Sequence, residues 1–211
     1  MKQTKRMIVG ITGATGIIYG VRTLQVLGGL GVETHLVVSH AGDLTRAHET
    51  DLSAAELRAL ASHHYGIGEI GACIASGSFR AMGMIVAPCT VRTLSQIATG
   101  ATDNLLSRAA DVTLKERRRL VLLLREFPLH AGHLRSMLAV TEMGGVVAPP
   151  VPAFYTRPQT VGDIVDQTIG RVLDLFDLDA GIFPRWGETI SLLPRHKRAA
   201  ARATVEQTVE G

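Results

Sequence analysis

The sequence predicts an α/β protein built on a parallel sheet, and three observations carry that prediction. Short apolar runs alternate with longer stretches of helical periodicity, the order expected of repeated βαβ units. A glycine-rich turn, Gly10-Ile-Thr-Gly13-Ala-Thr-Gly16, stands between the first apolar run and the first helical stretch. Residues 120–124 read LVLLL without interruption, as a parallel strand covered on both faces should.

The elements follow in order. Residues 7–11 predict the first buried strand, and residues 17–30 a helix closed by Gly31, a residue suited to the left-handed conformation after a helix end. Residues 34–38 predict a second strand. Ser53 with Glu56 three positions on is a capping-box pattern, opening a helix through Leu57, Leu60 and Ala61. Residues 84–87 predict a third strand, stopped by Pro88. Helical patterning resumes near Arg92 and again over residues 105–110. After the strand at 120–124 come a helix over 129–143, a fifth strand at 146–148 and a last helix over 161–176. No repeat and no Ser/Gly linker interrupts the pattern, so one domain is expected over residues 1–194. Residues 195–211 are expected to form a peripheral helix or a disordered tail.

Composition narrows the function classes. The 211 residues are 46% hydrophobic and only 4% aromatic, with a formal net charge of +3. That is rich enough for a core and too apolar for a disordered chain. Part of the positive excess lies at the two ends, in Lys2, Lys5 and Arg6 and in Arg195, His196, Lys197 and Arg198. Without clustered charge and interleaved aromatics, nucleic-acid binding is not expected. Cys73 and Cys89 are the two cysteines; they build no disulfide framework and no CxxC zinc motif, which suits a reducing, cytoplasmic setting. The apolar run from Met7 is broken by glycines, and no stretch reaches the roughly 18 apolar residues a membrane helix needs. His130 and His133 stand three apart but lack an HExxH pattern, and His63 and His64 are adjacent, so no metal site is expected. Cys89 has no evident partner base and reads as a buried apolar residue.

In an open parallel sheet, ligands bind beyond the carboxyl ends of the strands. The segments that follow the predicted strands are residues 12–16, Ser39 with His40, residues 88–93, Arg125 with Glu126, and residues 149–155. These five loops are rich in small polar and charged residues and are expected to converge on one site. Glycines in the first turn let a backbone approach a phosphate, and the free N–H groups at the helix start favour an anion. A dinucleotide would call for an acidic residue after the second strand; Ser39 and His40 stand there instead. No tyrosine is followed by a lysine four residues on, so the short-chain dehydrogenase pair is also missing. A mononucleotide with one phosphate remains.

Several motifs then read together: Thr12-Gly-Ala-Thr-Gly16, Glu49-Thr-Asp51, Ser76-Gly-Ser-Phe79, Pro88-Cys-Thr90 with Thr93-Leu94, and Asn104-Leu-Leu with Arg108-Ala-Ala-Asp111. Further on come Leu114-Lys-Glu-Arg-Arg118, Arg125-Glu126 with Pro128-Leu129, Pro152-Ala-Phe-Tyr155 and Arg185-Trp-Gly187. In this order, from about residue 7 to 188, they resemble the UbiX-type flavin prenyltransferase family, the small "B" subunits of non-oxidative aromatic-acid decarboxylase systems. Thr15 and Thr90 stand where many members carry serine, and both keep a hydroxyl. Thr15 resembles the decarboxylase-associated branch.

The resemblance implies a flavodoxin-like (Rossmann-like) three-layer αβα sandwich, homo-oligomeric and often dodecameric. It implies metal-independent transfer of a dimethylallyl group, from dimethylallyl phosphate or diphosphate, to N5 and C6 of reduced FMN. The product, prenylated FMN, serves a UbiD-type decarboxylase. By the same resemblance, FMN would meet Gly13, Ala14, Thr15, Ser39, Thr90, Val91, Arg92, Thr93 and Arg125. The prenyl phosphate would meet Ser76, Arg108, Lys115, Arg125, Tyr155 and Arg171. Glu49 and Glu126 would move protons, Lys115 would assist, and Trp186 would lie near the isoprenoid.

The residues suit that chemistry. A departing phosphate needs preorganised donors and positive charge; no DDxxD-like cluster is present to hold magnesium, whereas Arg108, Lys115, Arg125 and Arg171 are. Arginine grips phosphate through a planar fork, and an aromatic face stabilises an allylic cation by about 1–2 kcal/mol. Ordinary roles compete: solvated charge for Lys115, packing for Trp186, and a helix N-terminal charge for Glu49. Two other functions fit the same composition, an FMN-dependent decarboxylase of the cysteine-decarboxylase superfamily and a non-catalytic flavin carrier. The former uses a catalytic histidine and a Pro-Ala-Ser-Ala-Asn-Thr-like loop, where this chain has Pro88-Cys-Thr-Val-Arg-Thr93.

Overall fold

A computed structural model of the chain describes residues 4–188. The tail expected over 195–211 lies outside the described residues. Six strands form one all-parallel sheet in the order β3-β2-β1-β4-β5-β6: β1 (Arg6–Ile11), β2 (Glu33–Val38), β3 (His63–Tyr65), β4 (Gly83–Cys89), β5 (Arg119–Leu124) and β6 (Val146–Val147). The helices are α1 (Ile17–Gly29), α2 (His40–Glu49), α3 (Ala54–Ala59), α4 (Val91–Thr99), α5 (Leu105–Lys115), α6 (Ala131–Glu142) and α7 (Val161–Asp174).

Alternation along the strands sorts the core into two sheets of side chains. Met7, Val9, Ile11, Ile85, Val121 and Leu123 pack with α1 and α7 on one face. Ile8, Met84, Val86, Leu120, Leu122 and Leu124 pack with α4 and α5 on the other. The result is the flavodoxin-like three-layer sandwich, and β1 and β4 are buried almost end to end. Each fully buried Leu or Ile contributes about 1.5–3 kcal/mol, so these central strands are the fixed frame. Among the described residues no helix is long and apolar enough to cross a membrane.

The chain winds outward from β1 to β3, then returns to lay β4 on the other side of β1. The order reverses between β1 and β4, which opens a crevice at their carboxyl ends.

Three expectations need correction. The sheet has six strands, not five, because β3 is a three-residue edge strand of His-His-Tyr with no apolar run. Residues 40–49 are helical as α2, which no apolar periodicity announces because Gly42 is its only buried residue. Pro88 does not stop β4: the strand runs on to Cys89, with the pairing to β5 shifted between Val86 and Cys89, where proline lacks the N–H for the ladder.

Candidate functional site

The carboxyl ends of β1 and β4 are tied at Thr12, whose backbone N–H donates to the Pro88 carbonyl at 3.2 Å. Thr12, 1% exposed, donates through Oγ1 to the Pro88 carbonyl at 2.8 Å and accepts from the Thr90 N–H at 2.9 Å. Beside this tie lies a cavity of about 560 Å³, lined by Gly13 from the turn after β1, Ser39 and His40 after β2, Thr90, Val91, Arg92 and Thr93 after β4, and Glu126 after β5. Four of the five predicted loops therefore meet. Ile67 and Gly68 after β3 and Asn104 and Leu106 at the start of α5 complete the wall.

Two helices begin at this wall. Ser39 caps α2 by accepting from the Gly42 N–H at 3.0 Å, and Thr90 caps α4 by accepting from the Thr93 N–H at 3.1 Å. Each cap fixes the helix end while leaving other first-turn N–H groups open to a ligand. Glycine is required at position 13: a Cβ there would lie 2.4 Å from the Ala41 Cβ, so the bare backbone is what lets α2 close on the turn.

The start of α1, where the glycine turn predicts an anion, already holds one. Glu49, the last residue of α2, accepts through Oε2 from the Gly16 N–H at 2.8 Å and the Ile17 N–H at 2.9 Å. Burial pushes its carboxyl up, but hydrogen bonds from the Thr15 side chain and the two backbone N–H groups, with the Arg125 charge, hold it below the usual carboxylate range. Glu49 is thus a helix N-terminal charge, acting on a helix other than its own.

Arg125 follows the fully buried end of β5, and its N–H is fixed to the Cys89 carbonyl at 3.0 Å. Among the described residues its guanidinium makes no hydrogen bond or ion pair. The other predicted cations are paired: Arg108 with Asp111 at 2.8 Å, Lys115 with Glu116 at 2.5 Å, and Arg171 with Asp174 at 3.2 Å. Lys115 and Ser76 are not brought to the cleft. Lys115 ends α5, at the amino end of β5, where its Nζ lies beside Gly77. Cys89 is fully buried, and burial pushes its thiol far up, as its apolar reading requires.

Tyr155, Arg171 and Trp186 meet elsewhere. With Phe183, Arg185 and Glu188 they line a separate recess of about 340 Å³. Tyr155 stands edge-on to Trp186 with ring centroids 5.4 Å apart, and Arg185 covers Phe183 at 4.8 Å while holding Asp174 through two nitrogens. The segment after β6 thus does not join the cleft of its own chain.

Known proteins carry the same architecture. A chain called flavin prenyltransferase UbiX from Thauera aromatica is 56% identical over 181 residues, covering 86% of this chain and 93% of that protein. The chain belongs to the UbiX-type flavin prenyltransferase family. The broader Flavoprotein family model matches residues 1–173. Two solved structures of this family superpose closely. AnUbiX in complex with FMN and dimethylallyl pyrophosphate gives a TM-score of 0.87 at 52% identity, over 88% of this chain and 98% of that one. A dodecameric FMN-dependent UbiX-like decarboxylase from Escherichia coli O157:H7 gives 0.84 at 49%, over 86% and 98%.

Within the UbiX-type fold the sequence reading missed two contributions to the cleft. Ile67 and Gly68 follow a strand too short to register. Asn104 is signalled by its own chemistry: its side chain caps α5 by accepting from the Ser107 N–H at 3.0 Å, the pattern of a helix start.

Proposed function

We propose that this chain is a flavin prenyltransferase, joining a dimethylallyl group from dimethylallyl phosphate or diphosphate to N5 and C6 of reduced FMN. Its product, prenylated FMN, goes to a UbiD-type decarboxylase, in the cytoplasm. The observation that carries the reading is the cleft at the β1/β4 reversal, in a family with a member solved with FMN and dimethylallyl pyrophosphate together.

The residues present fit FMN. The cavity volume lies within the range of about 300–1,000 Å³ for small-molecule sites, and two capped helix starts with threonine and serine hydroxyls face it. Gly13, Ala14, Thr15, Ser39, Thr90, Val91, Arg92, Thr93 and Arg125 would hold the flavin. Because Glu49 already fills the start of α1, the flavin phosphate is directed toward the starts of α2 and α4, which favour an anion. When bound, reduced flavin supplies the electron-rich ring atoms that accept the allyl fragment.

The chain supplies the rest. The donor C–O bond breaks with its electron pair on the phosphate, which Arg125, Tyr155 and Arg171 would receive, with Ser76, Arg108 and Lys115 beside them. Donors fixed in place before charge develops are worth most in a site closed to water. Glu126, in the cleft wall, would accept a proton; Glu49 would do so only on leaving the Gly16 and Ile17 N–H groups that hold it at the start of α1. Trp186, 59% exposed, would cover the isoprenoid. Since the recess and the cleft share no lining residue, the phosphate-binding residues of one copy would meet the cleft of another. Phe127, Val151 and Phe154, each at least 72% exposed, suit such a subunit contact.

The test is incubation of the protein with reduced FMN and either donor under a chelator, read by mass spectrometry of the released flavin. Gain of one dimethylallyl unit is expected. FMN bound without mass gain would favour the carrier, and carbon dioxide release from a thiol-bearing peptide acid would favour the decarboxylase. A strict need for magnesium would overturn the metal-independent reading.

A further inference from the structure

Away from the cleft, β2 and β3 gather three groups that no motif connects. Glu33 and His35 are two apart on β2 and so share a face, and His35 is in register with His63 on β3. Their imidazole rings stack with centroids 4.8 Å apart and 20° between planes. Both Nε2 atoms turn to one carboxylate oxygen, Glu33 Oε1, at 3.0 Å from His35 and 3.6 Å from His63. The three candidate ligand atoms all lie within 4.8 Å of one another.

We propose that Glu33, His35 and His63 form a site for one divalent transition ion of the zinc class, at the β2–β3 edge of the sheet. Two imidazoles and one carboxylate are a donor set that zinc accepts, with bonds of about 2.0–2.2 Å and a fourth position left open. Closing the ligand atoms to such a distance needs a small movement, and His63, with 54% of its side chain exposed, is free to make it.

The surroundings supply what ligation needs. His35, 2% exposed, meets the Tyr65 hydroxyl through Nδ1 at 2.9 Å, and that hydroxyl meets Cys73 Sγ at 3.2 Å. Without an ion the Nε2 proton is donated to Glu33. On ligation the proton moves to Nδ1 and is donated to Tyr65, whose own proton goes to Cys73, so that the Nε2 lone pair is freed for the ion. Such outer partners fix the tautomer of a ligating histidine. Burial, the largest influence, favours the neutral form of His35. Against burial, hydrogen bonds from His35 and Arg6 favour the ionised Glu33. One group opposes the ion: Arg6 Nε holds the same Glu33 Oε1 at 3.1 Å. The second carboxylate oxygen or a turn of Arg6 toward Phe79, whose ring centroid it approaches at 5.4 Å, resolves that competition.

The experiment is titration of the untagged full chain with Co²⁺, followed by its visible absorption and by displacement with Zn²⁺. One equivalent with the absorption of a four- or five-coordinate site is expected. His63→Ala should weaken binding by about 10–100-fold, with Glu33→Gln as the second ligand variant. Arg6→Gln should tighten it, an effect that a purely structural ion-pair cluster does not produce. Equal cobalt uptake by the parent chain and His63→Ala, no stoichiometric uptake at all, or weaker binding by Arg6→Gln would overturn the proposal.

Discussion

The cleft and the recess are made of different materials. The cleft is walled mainly by backbone, short hydroxyls and capped helix starts beyond the buried strands β1 and β4, with the longer His40, Arg92, Gln96 and Glu126 among them. The recess is walled by long side chains, Tyr155, Arg171, Arg185 and Trp186, on segments where several residues are exposed and the cations are held by Asp174 and Asp179. A site that must recognise the same flavin at every turnover gains from the first kind of wall, since buried strands do not shift. Ion-paired side chains at a surface contribute little stability each, about 0–1 kcal/mol, and can re-pair with a phosphate. The cleft rests on buried strands, and the recess carries exposed, ion-paired charge.

The largest effect should come from removing Arg125, the cation that follows β5 next to the cleft-lining Glu126. Arg125→Ala is expected to slow transfer by about 10²–10³-fold while the melting temperature stays near the parent value, because among the described residues the side chain makes no hydrogen bond or ion pair and its charge reaches Glu49 only at longer range. A variant that binds and turns over normally would erase the distinction between the two walls. Tyr155→Phe, in the recess, should slow transfer by about tenfold, the value of one hydrogen bond of up to about 1.5 kcal/mol. FMN affinity, read by flavin fluorescence, should not move; if it falls, the recess is part of the flavin wall.

The smallest effect is on stability. Glu49→Ala leaves the Gly16 and Ile17 N–H groups without their carboxylate and should cost about 1 kcal/mol, read by thermal melting. Because the folded carboxyl is held below its ordinary value, its contribution is complete above that value and is lost as pH falls through the folded one. The gap between parent and variant should therefore close toward acid pH. A gap independent of pH would mean that packing, not charge, explains the cost.

The frame was legible because its signals are local. Apolar runs mark β1, β4 and β5, a shorter one over residues 36–38 marks β2, and Ser53 with Glu56 forms the capping box its spacing predicts. The helix α2 was not legible, because it approaches the sheet through a glycine: a Cβ on Gly42 would meet the Ile11 carbonyl oxygen at 2.9 Å, and close contact without a side chain leaves no hydrophobic pattern. Pairing of cations was equally hidden. Nothing in the order of residues says that Arg185, eleven positions beyond Asp174, closes on it with two nitrogens. Convergence of loops was readable from topology, and the departure of residues 149–155 from that convergence was not.

Thr12 has a consequence for how the crevice keeps its width. At Pro88 the backbone ladder between neighbouring strands loses a donor, and a side-chain oxygen bridges the two chain segments in its place. The threonine hydroxyl works beside a backbone bond, from the Thr12 N–H to the Pro88 carbonyl at 3.2 Å, and extends the tie to the Thr90 N–H. Serine could keep both parts of that tie, whereas valine, identical in outline but mute as donor and acceptor, would keep only the backbone bond and leave the Thr90 N–H without its side-chain acceptor.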